Sequence, residues 1–288
     1  MHFVNAKGIL SPQNGMNIYR GCTHGCIYCD SRSLCYQMKH DFEDIEVKQN
    51  APGLLEKALS KKRKRCMIKT GAMCDPYMHC EEELKLTRKC LEIIDRYGFG
   101  LSIQTKSDRI LRDLDLLISI QKQAKCVVEM TLTTADPHLC EILEPNVCNT
   151  QKRVETLKIM RENGIDTVVW LSPILPFIND TEENLIKLLD YCFDVGVKGI
   201  LNFGMGLTLR EGNREYFYQA LDLRFPGLKQ KYIRKFGTSY VCLSDNHPSL
   251  MKIFHEKCEA HGVMHDVDQI FRFLSEFPEP SFTQLPLF

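Results

Sequence analysis

Net charge is missing from this 288-residue chain, because 37 basic and 37 acidic side chains cancel. Nothing in that balance demands a polyanionic partner, and nothing forbids one. Long apolar runs are missing too. The segment Met1-His2-Phe3-Val4-Asn5-Ala6-Lys7 lacks the apolar stretch of a signal peptide. No segment approaches the ~18 apolar residues of a membrane span. Internal repeats, low-complexity tracts and long linkers are absent as well. These absences predict a cytoplasmic protein with no membrane partner. With 44% hydrophobic and 26% charged residues, the composition suits a soluble domain with a full core.

Cysteine, by contrast, is abundant at fourteen residues. Disulfide scaffolds are usually short, so a chain of this length points to a reducing setting with free thiols. Cys22, Cys26 and Cys29 are spaced C-x3-C-x2-C, with no fourth cysteine at a matching interval. Three thiolates hold three corners of a cubane iron–sulfur cluster and leave one iron open to an outside ligand. An open iron is a place for chemistry, whereas a four-thiolate cluster mainly carries electrons. The alternative is a structural zinc bound by Cys22, His24, Cys26 and Cys29. Structural zinc normally draws on two separated ligand pairs, and no second pair follows here. Gly21 and Gly25 suit a loop whose backbone closely approaches a bound group. The other cysteines lack ligand-like clustering. His255, His261 and His265, with Asp266 and Asp268, are read as structural because their spacing gives no clean helical ligand pair.

From about residue 54 onwards, strand-like and helix-like segments alternate. Short apolar, β-branched-rich runs predict strands at 66–70, 100–105, 126–131, 166–171 and 199–203. Helical spacing predicts helices over 82–97, 109–123, 151–163 with Thr150 as N-cap, and 182–195 with Thr181 as N-cap. Repeated βα units mean a parallel sheet or barrel. Thr70, Thr105, Lys106, Thr133, Thr134, Ser172 and Asn202 fall where strands end, the edge at which such folds bind ligands. Residues 211–288 lose the alternation and read as a helical extension packed on a core of residues 1–210.

Three stretches carry a family resemblance. Asn17-Ile18-Tyr19-Arg20-Gly21-Cys22-Thr23-His24-Gly25-Cys26-Ile27-Tyr28-Cys29 resembles the cluster motif of the radical S-adenosylmethionine (radical SAM) superfamily, in its spore photoproduct lyase-like branch. Thr70-Gly71-Ala72-Met73-Cys74-Asp75-Pro76-Tyr77, with Glu81 beyond it, is similar to that branch's T-x-x-x-S-D-P-Y-x-P-x-E. Pro173-Ile174-Leu175-Pro176 followed by Asn179-Asp180 is similar to its P-x-x-P-x-x-N-D. The resemblance implies an α/β fold, a partial parallel (β/α)6 TIM-type barrel. It implies that Cys22, Cys26 and Cys29 ligate a 4Fe–4S cluster whose open iron binds S-adenosylmethionine. Reductive cleavage of that cofactor would give a 5′-deoxyadenosyl radical that abstracts a substrate hydrogen. Tyr28 would pack near the adenine, and Lys106 would pair with the methionine carboxylate. Thr131 and Thr133 would hydrogen-bond the carboxylate or ribose, and Thr70, Gly71 and Ala72 would line the amino-group side. An external one-electron donor of the flavodoxin or ferredoxin type is implied, as is a nucleic-acid or nucleotide substrate.

The chain also departs from that branch. Asp30 and Ser31 follow the last cysteine where relatives have tyrosine and alanine. Cys74 replaces a serine, and His79 replaces a proline. All lie toward the expected substrate side, so the substrate need not be a pyrimidine dimer. Cys74 or Cys80 could return a hydrogen atom to a product radical; the competing reading is a small buried apolar residue. Lys61-Lys62-Arg63-Lys64-Arg65 reads either as a phosphate contact or as the solvated end of a helix. A peptide- or protein-modifying radical enzyme and a zinc-structured binding module are the alternative functions.

Overall fold

The computed structural model describes residues 1–278; the last ten positions of the expected helical extension lie outside the described residues. Six parallel strands stand side by side in chain order. They are β1 (Gly15–Met16), β2 (Met67–Thr70), β3 (Gly100–Thr105), β4 (Cys126–Thr131), β5 (Asp166–Trp170) and β6 (Gly199–Leu201). β1 and β6 each pair with one strand of the sheet, their outer edges meeting only single bridges at Leu10 and Met264, so the curved sheet is a barrel left open on one side. Its outer face is covered by α1 (Ala51–Leu59), α2 (Leu86–Arg96), α3 (Leu114–Gln123), α4 (Thr150–Glu162) and α5 (Glu182–Val195).

The apolar runs form strands because both faces are covered. Every residue of β4 is buried. Successive side chains alternate between faces. Cys126, Val128 and Met130 accordingly share a core with Leu91, Leu117, Leu157 and Leu188 of the helices. Val127 points inward to Met67, Val168 and Leu201. That interior layer is closed by Ile270 and Leu274 of the last described helix. A polar layer sits above it, where Trp170 Nε1 and the Ser102 hydroxyl both donate to the Glu129 carboxylate. Thr131, next inward along β4, reaches the cavity described below.

Beyond β6 the chain adds an antiparallel pair, β7 (Gly206–Thr208) with β8 (Val241–Leu243). Around it lie α6 (Asn213–Arg224), α7 (Leu228–Phe236), α8 (His247–Ala260) and α9 (Val267–Ser275). The region is thus not purely helical; β8 is exposed at both ends and offers no buried apolar run to signal itself. At the other end, His2–Val4, Glu46–Lys48 and Tyr19–Arg20 form a small separate sheet.

Several local expectations shift. The expected 82–97 helix breaks at Lys85, whose φ of 50° is left-handed, into Glu81–Leu84 and α2. The 109–123 helix begins as a 3-10 turn, Asp108–Asp113, before α3. The N-cap of α4 is Asn149, whose side chain accepts from Lys152 N. Thr150 instead donates its hydroxyl to the Thr134 carbonyl. Thr181 caps α5 as expected.

Candidate active site

The cysteine loop leaves the end of β1 and folds over the C-terminal edge of the sheet. Two anchors hold it. On one side Cys22 N donates to the Phe42 carbonyl at 3.1 Å. On the other, Ile27 N donates to Leu143 O and Asn146 N to His24 O. Gly21 is required at the first anchor: its φ is +90°, and a Cβ there would lie 2.4 Å from Phe42 O. Tyr19, just before the loop, donates its hydroxyl to Glu81, which also accepts the backbone N–H groups of Leu86 and Thr87. The first and second resemblance motifs are therefore joined through one buried carboxylate.

Beneath this loop lies a cavity of about 490 Å³. Cys22, Cys26, Cys29, Tyr28, Gly71, Ala72, Cys74, Lys106 and Thr131 all line it. Thr70 and Thr133 do not. By parity Thr70 falls with Ile68 on the helix-facing side of β2. Thr133 is fully buried outside that lining; its carbonyl accepts from Asn179 Nδ2 at 2.7 Å, while its Oγ1, like that of Thr131, has no partner. Cys80 does not line the cavity either.

Asp75 organises the floor, a role the sequence did not reveal. Its Oδ1 accepts from Tyr77 N at 2.8 Å and from Thr105 Oγ1 at 2.7 Å, and its Oδ2 accepts from Lys106 N at 2.8 Å. His24 Nδ1 lies 3.5 Å from Oδ2. Burial lowers the His24 pKa, with Asp75 opposing that shift. Its Nε2 has no partner. Gly71 brings the same loop against β3: its φ is +102°, and a Cβ would fall 1.9 Å from Gln104 O.

A second buried network stands behind Tyr28. The phenol donates to Glu144, which pairs with Arg153 Nη2 at 2.6 Å; both charged side chains are fully buried. Arg153 also donates from Nη1 to the Thr131 carbonyl at 3.0 Å and from Nε to Cys148 O at 2.9 Å. Glu144 and Arg153 were missed because neither stands in a recognisable motif.

The residues present fit a metal cluster with an anionic ligand beside it. Burial, followed by neighbouring Cys26 and Asp75, holds the Cys22 thiol well above its ordinary pKa; burial pushes Cys26 up to about 12. Thiolates are disfavoured there until a cation compensates them. Burial works against the Lys106 ammonium, but Cys26, Glu144 and Asp75 outweigh it and raise its pKa. Thr131 Oγ1 is buried without a partner at the cavity wall. A single zinc needs donors roughly 3.8 Å apart. Among the described residues, Cys22, His24, Cys26 and Cys29 do not gather any three donor atoms within 4.8 Å. A cubane spreads its thiolates more widely than one ion does.

The rim of the cavity is apolar and exposed, with Phe203 55%, Tyr240 45% and Val241 49% accessible. The basic run Lys61–Arg65 is exposed but precedes β2, at the sheet edge opposite the cavity. His255 and His265 approach each other only as rings 5.2 Å apart.

A family model, the radical SAM superfamily, matches residues 16–192. The chain is 31% identical over 223 residues to an uncharacterized protein of Mycobacterium tuberculosis. That alignment covers 75% of this chain and 65% of the relative, so the chain spans just under two thirds of the mycobacterial protein. It is 34% identical over 181 residues to an uncharacterized protein of Methanocaldococcus jannaschii, covering 62% of this chain and 67% of that one. Among solved structures it is similar to spore photoproduct lyase complexed with dinucleoside spore photoproduct, with a TM-score of 0.62 and 13% identity. That match covers 92% of this chain and 78% of the lyase. A mutant of the lyase with bound S-adenosylmethionine (AdoMet) and dinucleoside spore photoproduct gives 0.61. At such identity the likeness is one of fold.

Proposed function

The chain belongs to the radical SAM superfamily, and on that premise we propose that it is an enzyme using a 4Fe–4S cluster and S-adenosylmethionine to start a radical reaction. Cys22, Cys26 and Cys29 would hold the cluster. When bound, cluster and S-adenosylmethionine together supply reductive cleavage of the sulfonium and a hydrogen-abstracting 5′-deoxyadenosyl radical. The observation that carries the reading is the convergence of three free thiols, a half-buried lysine and an unpartnered Thr131 hydroxyl on one cavity.

The chain's own groups divide the work. The Lys106 ammonium, half-buried in the cavity wall, pairs with a carboxylate in a charge-assisted contact. Thr131 Oγ1 donates the hydrogen bond that it lacks in the free protein. Gly71 and Ala72 let the ligand approach backbone rather than side chain. The Tyr28 ring, fixed by Glu144, forms a wall for an adenine. Cys74, which lines the cavity, would return a hydrogen atom to the substrate. Thr70 and Thr133 stand outside the cavity lining, so this reading gives them no direct contact with the ligand.

Residues 1–210 act as the core, and the chain from 211 onward supplies the rim through Tyr240 and β8. A nucleic acid or nucleotide is the substrate class this reading favours. Phe203 and Tyr240 offer exposed rings on which bases stack. α7 carries Lys229, Lys231, Arg234 and Lys235 and leads within the chain to Tyr240. A flavodoxin- or ferredoxin-type donor supplies the electron, which suits a cytoplasmic setting. Among the described residues no helix is long and apolar enough to cross a membrane.

Anaerobic reconstitution tests the proposal. The protein should turn brown with about four irons per chain and release 5′-deoxyadenosine on reduction with dithionite. Cys26→Ala should abolish that release. Thymine-dimer DNA, undamaged single strands and a peptide pool then separate the substrate classes by which one stimulates turnover. Colourless protein, or unchanged nucleoside release from Cys26→Ala, would sink the reading.

A further inference from the structure

A second group of ligating side chains lies outside the cavity, in the small N-terminal sheet. His2, His40 and Asp44 each place one ligand atom within 4.8 Å of the others. Among the described residues no other trio of histidine, cysteine or carboxylate donors does so. Glu46 joins them. It is the register partner of His2 across the parallel strand pair, and its Oε2 is 3.9 Å from His40 Nε2.

The His40 imidazole is set up to ligate. Its Nδ1 lies 3.0 Å from the Asp41 carbonyl oxygen, which can only accept. The ring proton of the neutral form therefore sits on Nδ1, and the Nε2 lone pair is left free. That Nε2 is screened from solvent and has no hydrogen-bond partner. A backbone carbonyl that takes the proton of one ring nitrogen is how metal-binding histidines are oriented to ligate through the other. On the opposite side His2 Nδ1 is 2.9 Å from Asp44 Oδ2, and the Met1 ammonium lies 2.6 Å from Asp44 Oδ1, a contact that a bound cation would replace. The His2 and His40 rings meet edge-on, with centroids 4.8 Å apart. Two imidazoles with two carboxylates form an N/O donor set suited to zinc and its first-row neighbours.

We propose that His2, His40, Asp44 and Glu46 form a divalent transition-metal site, with zinc as its representative occupant, that braces the 40–46 loop. The consequence reaches the cavity through the backbone. Phe42, between His40 and Asp44, gives its carbonyl to Cys22 N, and Gly21 packs on the same oxygen. An ion tying His40 and Asp44 to the strand at His2 holds Phe42 in place and with it the start of the cysteine loop. The site does not depend on the radical chemistry proposed above, and zinc rather than nucleoside release reports on it.

The experiment measures zinc retained against a competing chelator by the anaerobically reconstituted protein, in which the cavity thiols are engaged. Wild type should hold one zinc that His40→Ala and Asp44→Ala each bind at least about tenfold more weakly. Zinc should raise the melting temperature of wild type but not of His40→Ala, because only a native-state ligand stabilises. His2→Ala, at a half-buried strand end, repeats the comparison if a loop variant folds poorly. Wild type that takes up no zinc, or variants with undiminished affinity and an undiminished thermal shift, would overturn the proposal.

Discussion

The Asp75 carboxylate accepts the backbone N–H of Lys106 at 2.8 Å, tying the loop after β2 to the end of β3. It also takes the Thr105 hydroxyl and the Tyr77 N–H. One side chain thus sets both the Gly71–Ala72 wall and the root of Lys106. Asp75→Ala leaves buried donors unpaired, at about 1–3 kcal/mol each. We expect a loss of roughly 3 kcal/mol in urea unfolding on that scale. S-adenosylmethionine affinity of the reconstituted protein should fall at least about tenfold, a loss of ~1.4 kcal/mol. Calorimetric titration that finds unchanged affinity would show that Asp75 serves the fold alone.

Gly71 bears a separate constraint. Its φ of +102° is costly for an L side chain, and a Cβ would lie 1.9 Å from the Gln104 carbonyl oxygen. Because that obstacle is backbone, relief requires moving β2 relative to β3. Gly71→Ala should destabilise by about 3 kcal/mol or more through strain and overpacking. For a chain of this size each kcal/mol lowers Tm by roughly 2–4 °C, which differential scanning fluorimetry resolves. An unshifted Tm would mean that the loop relaxes freely.

The contrast between Asp75 and the cysteines shows what a sequence exposes. Cys22, Cys26 and Cys29 act within eight residues, so their spacing survives in one dimension. Asp75 acts through Thr105 and Lys106, thirty residues on, and no local pattern carries that link. Strands β2 to β6 were legible because burial on both faces demands apolar runs. β1 is two residues long and β8 has exposed ends, so both are held by neighbours rather than by composition. Thr70 and Thr133 looked equal to Thr131, since strand parity and the Asn179 contact appear only in three dimensions. His2 and His40 lie far apart in the chain and meet only through the small sheet.

Glu144 and Arg153 predict an acid-sensitive step. Burial alone would raise the Glu144 pKa, but Arg153, then Lys106, outweigh it and leave the value lowered from 4.5. A carboxylate whose folded pKa is depressed stabilises fully above its unfolded pKa. That contribution is lost as pH falls through the lower folded value. Wild type should therefore hold its stability down to roughly pH 4.5 and lose it below. Glu144→Gln breaks a buried pair, at about 3–5 kcal/mol near neutrality. The gap between variant and wild type should narrow below that pH. Urea midpoints measured from pH 7 to pH 3 check the sign; a gap that widens on acidification contradicts it.

Cys74 offers the sharpest test of chemistry beyond cofactor cleavage. Its thiol donates to the Tyr19 carbonyl, with Sγ 2.9 Å from the oxygen, and it lines the cavity. Burial, then Asp75, pushes its pKa up to about 12. The sulfur thus keeps its hydrogen at neutral pH, as a hydrogen-atom donor must. Cys80 serves as the control, because it lies outside the cavity lining. Cys74→Ala should retain dithionite-driven 5′-deoxyadenosine release while lowering product formed per nucleoside by about tenfold or more, the signature of a step lost after cofactor cleavage. Cys80→Ala should leave that ratio unchanged. If Cys74→Ala also leaves it unchanged with the identified substrate, the thiol is core packing and the hydrogen comes from elsewhere.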